Sequence, residues 1–142
     1  MNLSPNFTLA ELTHTDHRKF DNTPNTVQIA NLKRLAALLE LVRAAIGNKP
    51  IVVNSAFRSK AVNDAVGSKD ASQHRLGCAA DIRVPGMTPD AVVRAIIAAK
   101  LPFDQVIREF DAWTHISVPT TPASTPRGSK LIIDRVGTKL YA

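Results

Sequence analysis

Leu32, Leu35, Leu39, Val42 and Ile46 recur at steps of three and four. That spacing lines one face of an α-helix. Asn22-Thr23-Pro24-Asn25 breaks the chain before them, Asn25 or Thr26 offers an N-cap, and Gly47 offers an end. One long amphipathic helix is predicted between these limits. Upstream, Asn6 to Asn25 mixes short apolar pieces with polar ones, and only Phe7 to Leu12 predicts a short helical turn.

Downstream the pattern shortens. Ile51-Val52-Val53-Asn54-Ser55 reads as a buried strand. Ser59 is an N-cap for a short helix through Val66, stopped by Gly67, and a polar loop, Ser68 to Gln73, follows. Ala79 to Val84 predicts a second strand. Thr88-Pro89-Asp90 combines a cap, a proline at the first helical position and an early acid. The helix it opens should turn Ala91, Val92, Ala95, Ile96 and Ala99 inward. Gln105 to Phe110 and Trp113 to Val118 read as paired strands around an Asp111-Ala112 turn. Pro119 to Pro126 reads as an extended connector, and Leu131 to Tyr141 as a hairpin turning at Gly137. Together these elements predict an α+β fold, a small antiparallel sheet flanked by helices. Residues 1–142 are expected to form a single domain, with 1–25 an N-terminal segment and 119–142 a linker plus C-terminal hairpin.

Composition narrows the function. A chain of 142 residues, 44% hydrophobic, can bury one real core. It has no apolar run of the roughly eighteen residues a membrane span needs. Met1 to Asn6 shows no basic region followed by an apolar stretch, so no cleaved secretory signal is expected and synthesis is expected in the cytoplasm. A single cysteine excludes an internal disulfide. The net charge of +6 favours polyanions such as nucleic acid, anionic lipid or bacterial wall. The basic residues are scattered, however, and five Phe, one Tyr and one Trp are few for base stacking, so nucleic acid is not the expected partner.

His74, Asp81 and His115 are the candidate metal ligands. Two imidazoles and a carboxylate suit a catalytic zinc with its fourth position open, and they suit calcium or magnesium less. His74 and Asp81 lie seven residues apart, so the loop between them must bend back, and Gly77 supplies the freedom to do so. His115 would come from a neighbouring strand. His14 and His17 sit in a polar stretch and read as solvated. Cys78, close to a histidine and an aspartate, raises the alternative of a thiol hydrolase, although a small buried residue is its simpler role. Ser72 can hydrogen-bond substrate or brace the loop. Trp113 can wall a substrate cleft or fill the core.

Ser72 to Asp81 has the form S-x-H-x-x-G-x-A-x-D, and Trp113-Thr114-His115 follows as W-x-H. This pair of motifs resembles the zinc D-Ala-D-Ala carboxypeptidase family, which includes bacterial DD-carboxypeptidases, vancomycin-resistance dipeptidases and phage endolysin peptidases. The resemblance implies Zn2+ on His74, Asp81 and His115, with the site at the sheet, in a fold shared with the hedgehog signalling domain. It also implies a general base, a Glu shortly before the last His. Glu109-Phe110-Asp111-Ala112-Trp113-Thr114-His115 matches the E-F-x-x-W-x-H form of phage members and points to Glu109, with Asp111 as the alternative. In the dipeptidase branch the Glu stands at the position of Ala112. Ser55-Ala56-Phe57-Arg58-Ser59 matches the family's S-x-[FY]-R-S, which implies that Arg58 binds the substrate's carboxylate or polarises its carbonyl. Asn6 to Leu12, Asp21 to Pro24 and Phe103 to Ile107 are similar to the phage members more loosely.

The function so implied is a zinc peptidase acting as a monomer on peptidoglycan stem peptides, of phage or prophage endolysin type, reaching the wall after release. A non-catalytic zinc domain of the same fold is the other alternative. Glu109 brings a structural condition with it. A two-residue turn at Asp111-Ala112 would pair Arg108 with His115 and turn Glu109 to the other face. A bulge or a three-residue turn would bring Glu109 to the metal side.

Overall fold

The computed structural model describes residues 1–68 and 72–141, so Lys69, Asp70 and Ala71 of the polar loop and the terminal Ala142 lie outside the described residues. The chain opens with a small hairpin, β1 (Asn2–Ser4) and β2 (Phe7–Thr8), that the sequence pattern does not signal. Thr8 then caps α1 (Leu9–Leu12) in a reciprocal box with Glu11. Glu40 ties the hairpin down, accepting from Ser4 Oγ at 2.6 Å and from the backbone and side-chain nitrogens of Asn6 at 2.7 Å. Phe7 and Leu12 are buried in the main core.

The predicted long helix is α2 (Thr26–Ala45), with Asn25 and Gln28 capping one another at its start. Leu32, Leu35, Leu39, Val42 and Ile46 are all buried. β3 (Val52–Ser55) follows, then α3 (Lys60–Ala65), capped by Ser59. A 3-10 turn (Gln73–Leu76) leads into β4 (Ala79–Arg83). After α4 (Pro89–Ala98) come β5 (Gln105–Glu109), β6 (Trp113–Ser117), β7 (Ser129–Asp134) and β8 (Gly137–Leu140).

Three details differ from the sequence reading. β3 is half-buried rather than buried, because it is an edge strand paired only with β4. α4 buries Val92, Val93 and Ile96, while Ala99 is exposed beyond the helix end. The last hairpin turns at Arg135-Val136, with Asp134 opposite Gly137 and its carboxylate accepting from Val136 N.

β3 to β8 form one sheet in the order β3-β4-β6-β5-β7-β8. The expected small antiparallel sheet is thus a six-stranded mixed one, since β7 runs parallel to β5. The cause is spatial. Both edges of β6 are occupied, by β4 and β5, so the strand returning from it must join a free edge of the sheet, and it joins the outer edge of β5. The connector after Ser117 is long enough to pass over the end of β5.

Side chains alternate between the faces of this sheet. Ala80, Ile82, Val106 and Ile116 point to one face and are buried in a single core with residues of α2 and α4. Asp81, His115, Ile107 and Glu109 belong to the other face by register. One face of the sheet therefore holds the fold together and leaves the other for polar chemistry.

Two contacts fix the loop before β4. Gln28 Nε2 and Asn31 Nδ2, both on α2, donate to the carbonyls of Arg75 and Leu76 at 3.2 and 2.8 Å. Gly77 ends the turn at φ 77°, and a Cβ there would stand 2.8 Å from the Gln28 carbonyl oxygen and 3.1 Å from Leu32 Cγ. On the other side, buried Asp104 accepts from Gln73 Nε2 at 3.0 Å and from Arg127 Nη2 at 2.7 Å. It joins the turn to the connector.

Gly77→Ala should destabilise the protein by at least about 2 kcal/mol, the left-handed backbone alone accounting for roughly 1–2. Denaturant unfolding measures this, and an unchanged midpoint would mean that the turn can move away from α2. A second expectation concerns pH. The hydrogen bond from Arg127 holds the Asp104 carboxyl below its usual range, against burial, which acts the other way. A folded pKa below the unfolded one adds stability that is complete above the unfolded value, about 3.9, and fades as pH falls through the folded one. Asp104→Asn should therefore unfold more easily than the parent at neutral pH, with the gap narrowing below about pH 4. A gap of constant size down to acid pH would remove the ionised pair as its cause.

Candidate metal centre

His74 reaches the open face of the sheet from the 3-10 turn. Ser72 Oγ accepts from its backbone N–H at 3.2 Å, and its carbonyl accepts from Arg58 N at 3.0 Å. Its Nδ1 lies 2.7 Å from the carbonyl oxygen of Ala56. A carbonyl only accepts, so Nδ1 carries the proton and Nε2 is left with a free lone pair. That Nε2 faces Asp81 Oδ2 at 3.4 Å.

Asp81 and His115 stand directly opposite one another on β4 and β6. His115 Nδ1 lies 3.0 Å from Asp81 Oδ1, and the two imidazole rings meet edge to face with centroids 5.2 Å apart. One donor atom from each of His74, Asp81 and His115 lies within 4.8 Å of the others, and all three residues are buried. Among the described residues this is the one such group. His14 and His17 lie outside it.

The donor set fits a zinc ion. The His74 ring is held through its second nitrogen by a backbone carbonyl, the support that metal-binding histidines ordinarily have. Burial lowers the pKa of His74 and favours the neutral ligand form, although Asp81 acts against this. Burial alone would raise the Asp81 carboxyl, yet the hydrogen bond from His115 acts against it, and the group is held well below the usual carboxylate range. Asp81 therefore stays ionised. Arg58 adds a further opposite charge, with Nη2 3.3 Å from Asp81 Oδ2 while its Nε donates to Ser55 Oγ at 3.1 Å.

The turn between β5 and β6 meets the condition that Glu109 required. Glu109 pairs with Trp113 and Ile107 with His115, which leaves Phe110, Asp111 and Ala112 as a three-residue loop. Phe110 and Asp111 adopt φ of 53° and 50°, and Ala112 N–H bonds back to the Glu109 carbonyl at 3.0 Å. Glu109 therefore lies on the same face as His115, with Oε1 3.8 Å from its Nδ1. Trp113 Nε1 donates to the other carboxylate oxygen at 3.1 Å. Burial, then the Asp81 charge, raises the Glu109 pKa.

Asp111 is exposed on the loop and paired with Arg108, whose side chain lies on the opposite face. Trp113 is half-buried against Phe110 and does not fill the core. Cys78 is fully buried in the core, and burial pushes its thiol up. Neither property suits a nucleophile. Ser72 braces the His74 loop and also lines a cleft that opens from His115. The Ala56 carbonyl and the Gln73–Asp104–Arg127 chain were invisible to the sequence reading. The first is a backbone atom, and the second joins residues far apart in the chain.

Residues 5–117 match the family model described as Peptidase M15. Over 81 residues the chain is 38% identical to the zinc D-Ala-D-Ala carboxypeptidase of Streptomyces albus G. The matched stretch covers 54% of this chain and 31% of that protein, so the chain spans about a third of the curated relative's length.

The parent should hold about one zinc per chain after dialysis, and His74→Ala and His115→Ala should each lose most of it, since a catalytic-type site has only three protein ligands. Elemental analysis reads the occupancy. Retention of full occupancy in both variants would place the metal elsewhere.

Proposed function

The chain belongs to the peptidase M15 family, and from that premise we propose that it is a zinc-dependent peptidase hydrolysing amide bonds in the stem peptides of bacterial peptidoglycan. The observation that carries this reading is the convergence of His74, Asp81 and His115 on one sheet face, with a half-buried carboxylate, Glu109, beside them. The relative named for D-Ala-D-Ala supports the substrate class.

His74, Asp81 and His115 would hold the ion. When bound, zinc supplies an electrophile for the amide carbonyl and lowers the pKa of water to about 7. Glu109 then takes the water proton and passes it to the leaving amine, a task for a carboxylate within hydrogen-bond reach. Its raised pKa makes the carboxylate a stronger acceptor for the water proton. Trp113 occupies one of its oxygens and leaves Oε1 on the metal side. Arg58, beside Asp81, would meet the substrate's carboxylate or carbonyl, and its nearness to the ligand cluster supports that role. A non-catalytic zinc domain would have no use for the desolvated carboxylate at Glu109. The finer reading, a phage or prophage endolysin made in the cytoplasm and released to the wall, rests on the E-F-x-x-W-x-H segment.

Glu109→Gln should keep fold and zinc but lose at least about a hundredfold in turnover, the low end of general-base catalysis. Asp111→Asn should turn over close to the parental rate. Digestion of purified wall, with new termini identified by mass spectrometry, measures both and names the bond cut. A dead Asp111→Asn beside a normal Glu109→Gln would move the base to Asp111.

A further inference from the structure

The cleft that opens from His115 has a volume of about 1050 Å³. That is at the upper end of ligand pockets, which run roughly 300–1000 Å³. It extends well past the ligand cluster. Leu131 and Ile133 of β7 give it an aliphatic floor, and Arg127 of the connector borders it. Arg127 lies beyond residue 117, where the match to the family ends. It is the one Lys or Arg bordering the cleft among the described residues, and Asp104 is the one acid.

We infer that Arg127 forms a carboxylate subsite of this cleft, and that it receives an acidic group of the substrate about three residues from the bond that is cut. This rests on the peptidase reading above and adds a specificity determinant to it. The guanidinium is held in a fixed pose. Asp104 accepts from Nε with both oxygens at 3.1 Å, from Nη2 at 2.7 Å and from the Arg127 backbone N at 3.1 Å. Those bonds take up the Nε–Nη2 edge. Nη1 has no protein partner among the described residues, and the side chain is 60% exposed. A guanidinium carries five N–H donors in a rigid fork, so its outer edge keeps donors for a second carboxylate while the first holds the plane still. Asp104 itself is buried, and Gln73 and Arg127 bond its oxygens. A ligand in the cleft therefore meets the donors before the acid behind them. Arg58 lies on the other side of the ligand cluster, toward β3. From Asp81 on β4 to the paired starts of β5 and β7, where Arg127 sits, is at least two strand spacings, roughly 10 Å. An extended peptide covers that in about three residues. A substrate whose terminal carboxylate meets Arg58 thus brings the third residue on its acyl side to Arg127.

The test uses zinc-loaded enzyme and two acetylated peptides ending in D-Ala-D-Ala. They differ only in the third residue on the acyl side, glutamate in one and glutamine in the other. The parent should cleave the glutamate peptide with a kcat/KM at least about tenfold higher, the low end of what hydrogen bonds to a charged group supply. The preference should lie in KM, because the contact is made equally before and during the reaction, and it should shrink as salt is raised. Arg127→Gln should reduce it to within about twofold. That variant also strips buried Asp104 of its partner, so a second variant carries Asp104→Asn as well, and it should lose the preference to the same extent. Lys130→Gln removes an equal charge from the opposite face of the sheet, where Lys130 pairs with Val106, and should keep the preference. No preference in the parent, one that survives in both Arg127 variants, or one that Lys130→Gln also abolishes would overturn the subsite. If the parent cleaves neither peptide, calorimetry of glutamate-peptide binding separates the two readings. Binding that requires Arg127 upholds the subsite and sinks the peptidase reading, and absent binding sinks both.

Discussion

A strand slipped by one residue turns all its side chains to the other face of the sheet, and the register of β4, β6 and β5 is the constraint on which this site depends. In the observed register Asp81 faces His115, and Glu109 shares their side with Ile107. A slip of one between β5 and β6 would put Arg108 there in place of Glu109. The extra residue in the Phe110–Ala112 loop prevents that. Its cost is two non-glycine residues with positive φ, which the bonds from Phe110 N to Ile133 and from Ala112 N to Glu109 help to hold.

The same alternation separates stability from chemistry. Ala80, Ile82, Val106 and Ile116 fill the core beneath α2 and α4, one residue away in sequence from the groups of the site. Because the core face carries the hydrophobic stabilisation, the opposite face can hold a buried carboxylate between two imidazoles. Such a cluster is costly in an apolar surrounding unless each member is paired. Here the Ala56 carbonyl, Arg58 and Ser55 complete the pairing.

His74 has no strand to hold it, so its position is set by what packs around a short turn. α2 supports that turn through Gln28 and Asn31, and Gly77 lets the two backbones touch. The N-terminal segment contributes as well. Asn22 bonds to the carbonyls of Thr13 and Phe57 and accepts from Ser59 N, fixing the stretch that carries Ala56 and Arg58. On the far side Gln73 and Asp104 link the turn to the connector. The long helix and the chain's first quarter thus serve the site without touching the metal ligands' donor atoms.

The periodicity from Leu32 to Ile46, the caps at Asn25, Ser59 and Thr88, and the motif residues His74, Asp81 and His115 could all be read from the chain, because each is a local signal. The helical face and the caps depend on neighbours within a turn, and the motif is a fixed string of residue types. Other features depended on contacts between distant parts. β3 reads as buried by composition, yet its place at the edge leaves it half-open. β7 lies outside β5 because both edges of β6 are taken, and it runs parallel to β5 because it starts beside Gln105, where β6 ends; no local pattern records either. Whether Glu109 or Asp111 faces the ligand cluster turned on one residue in a loop. The aliphatic floor of Leu131 and Ile133 looks like any strand in sequence, and only the pairing of β7 beside β5 lays it next to His115. Residue types and local geometry are properties of short segments, while register, strand order and the walls of a cleft are settled only when segments compete for the same space.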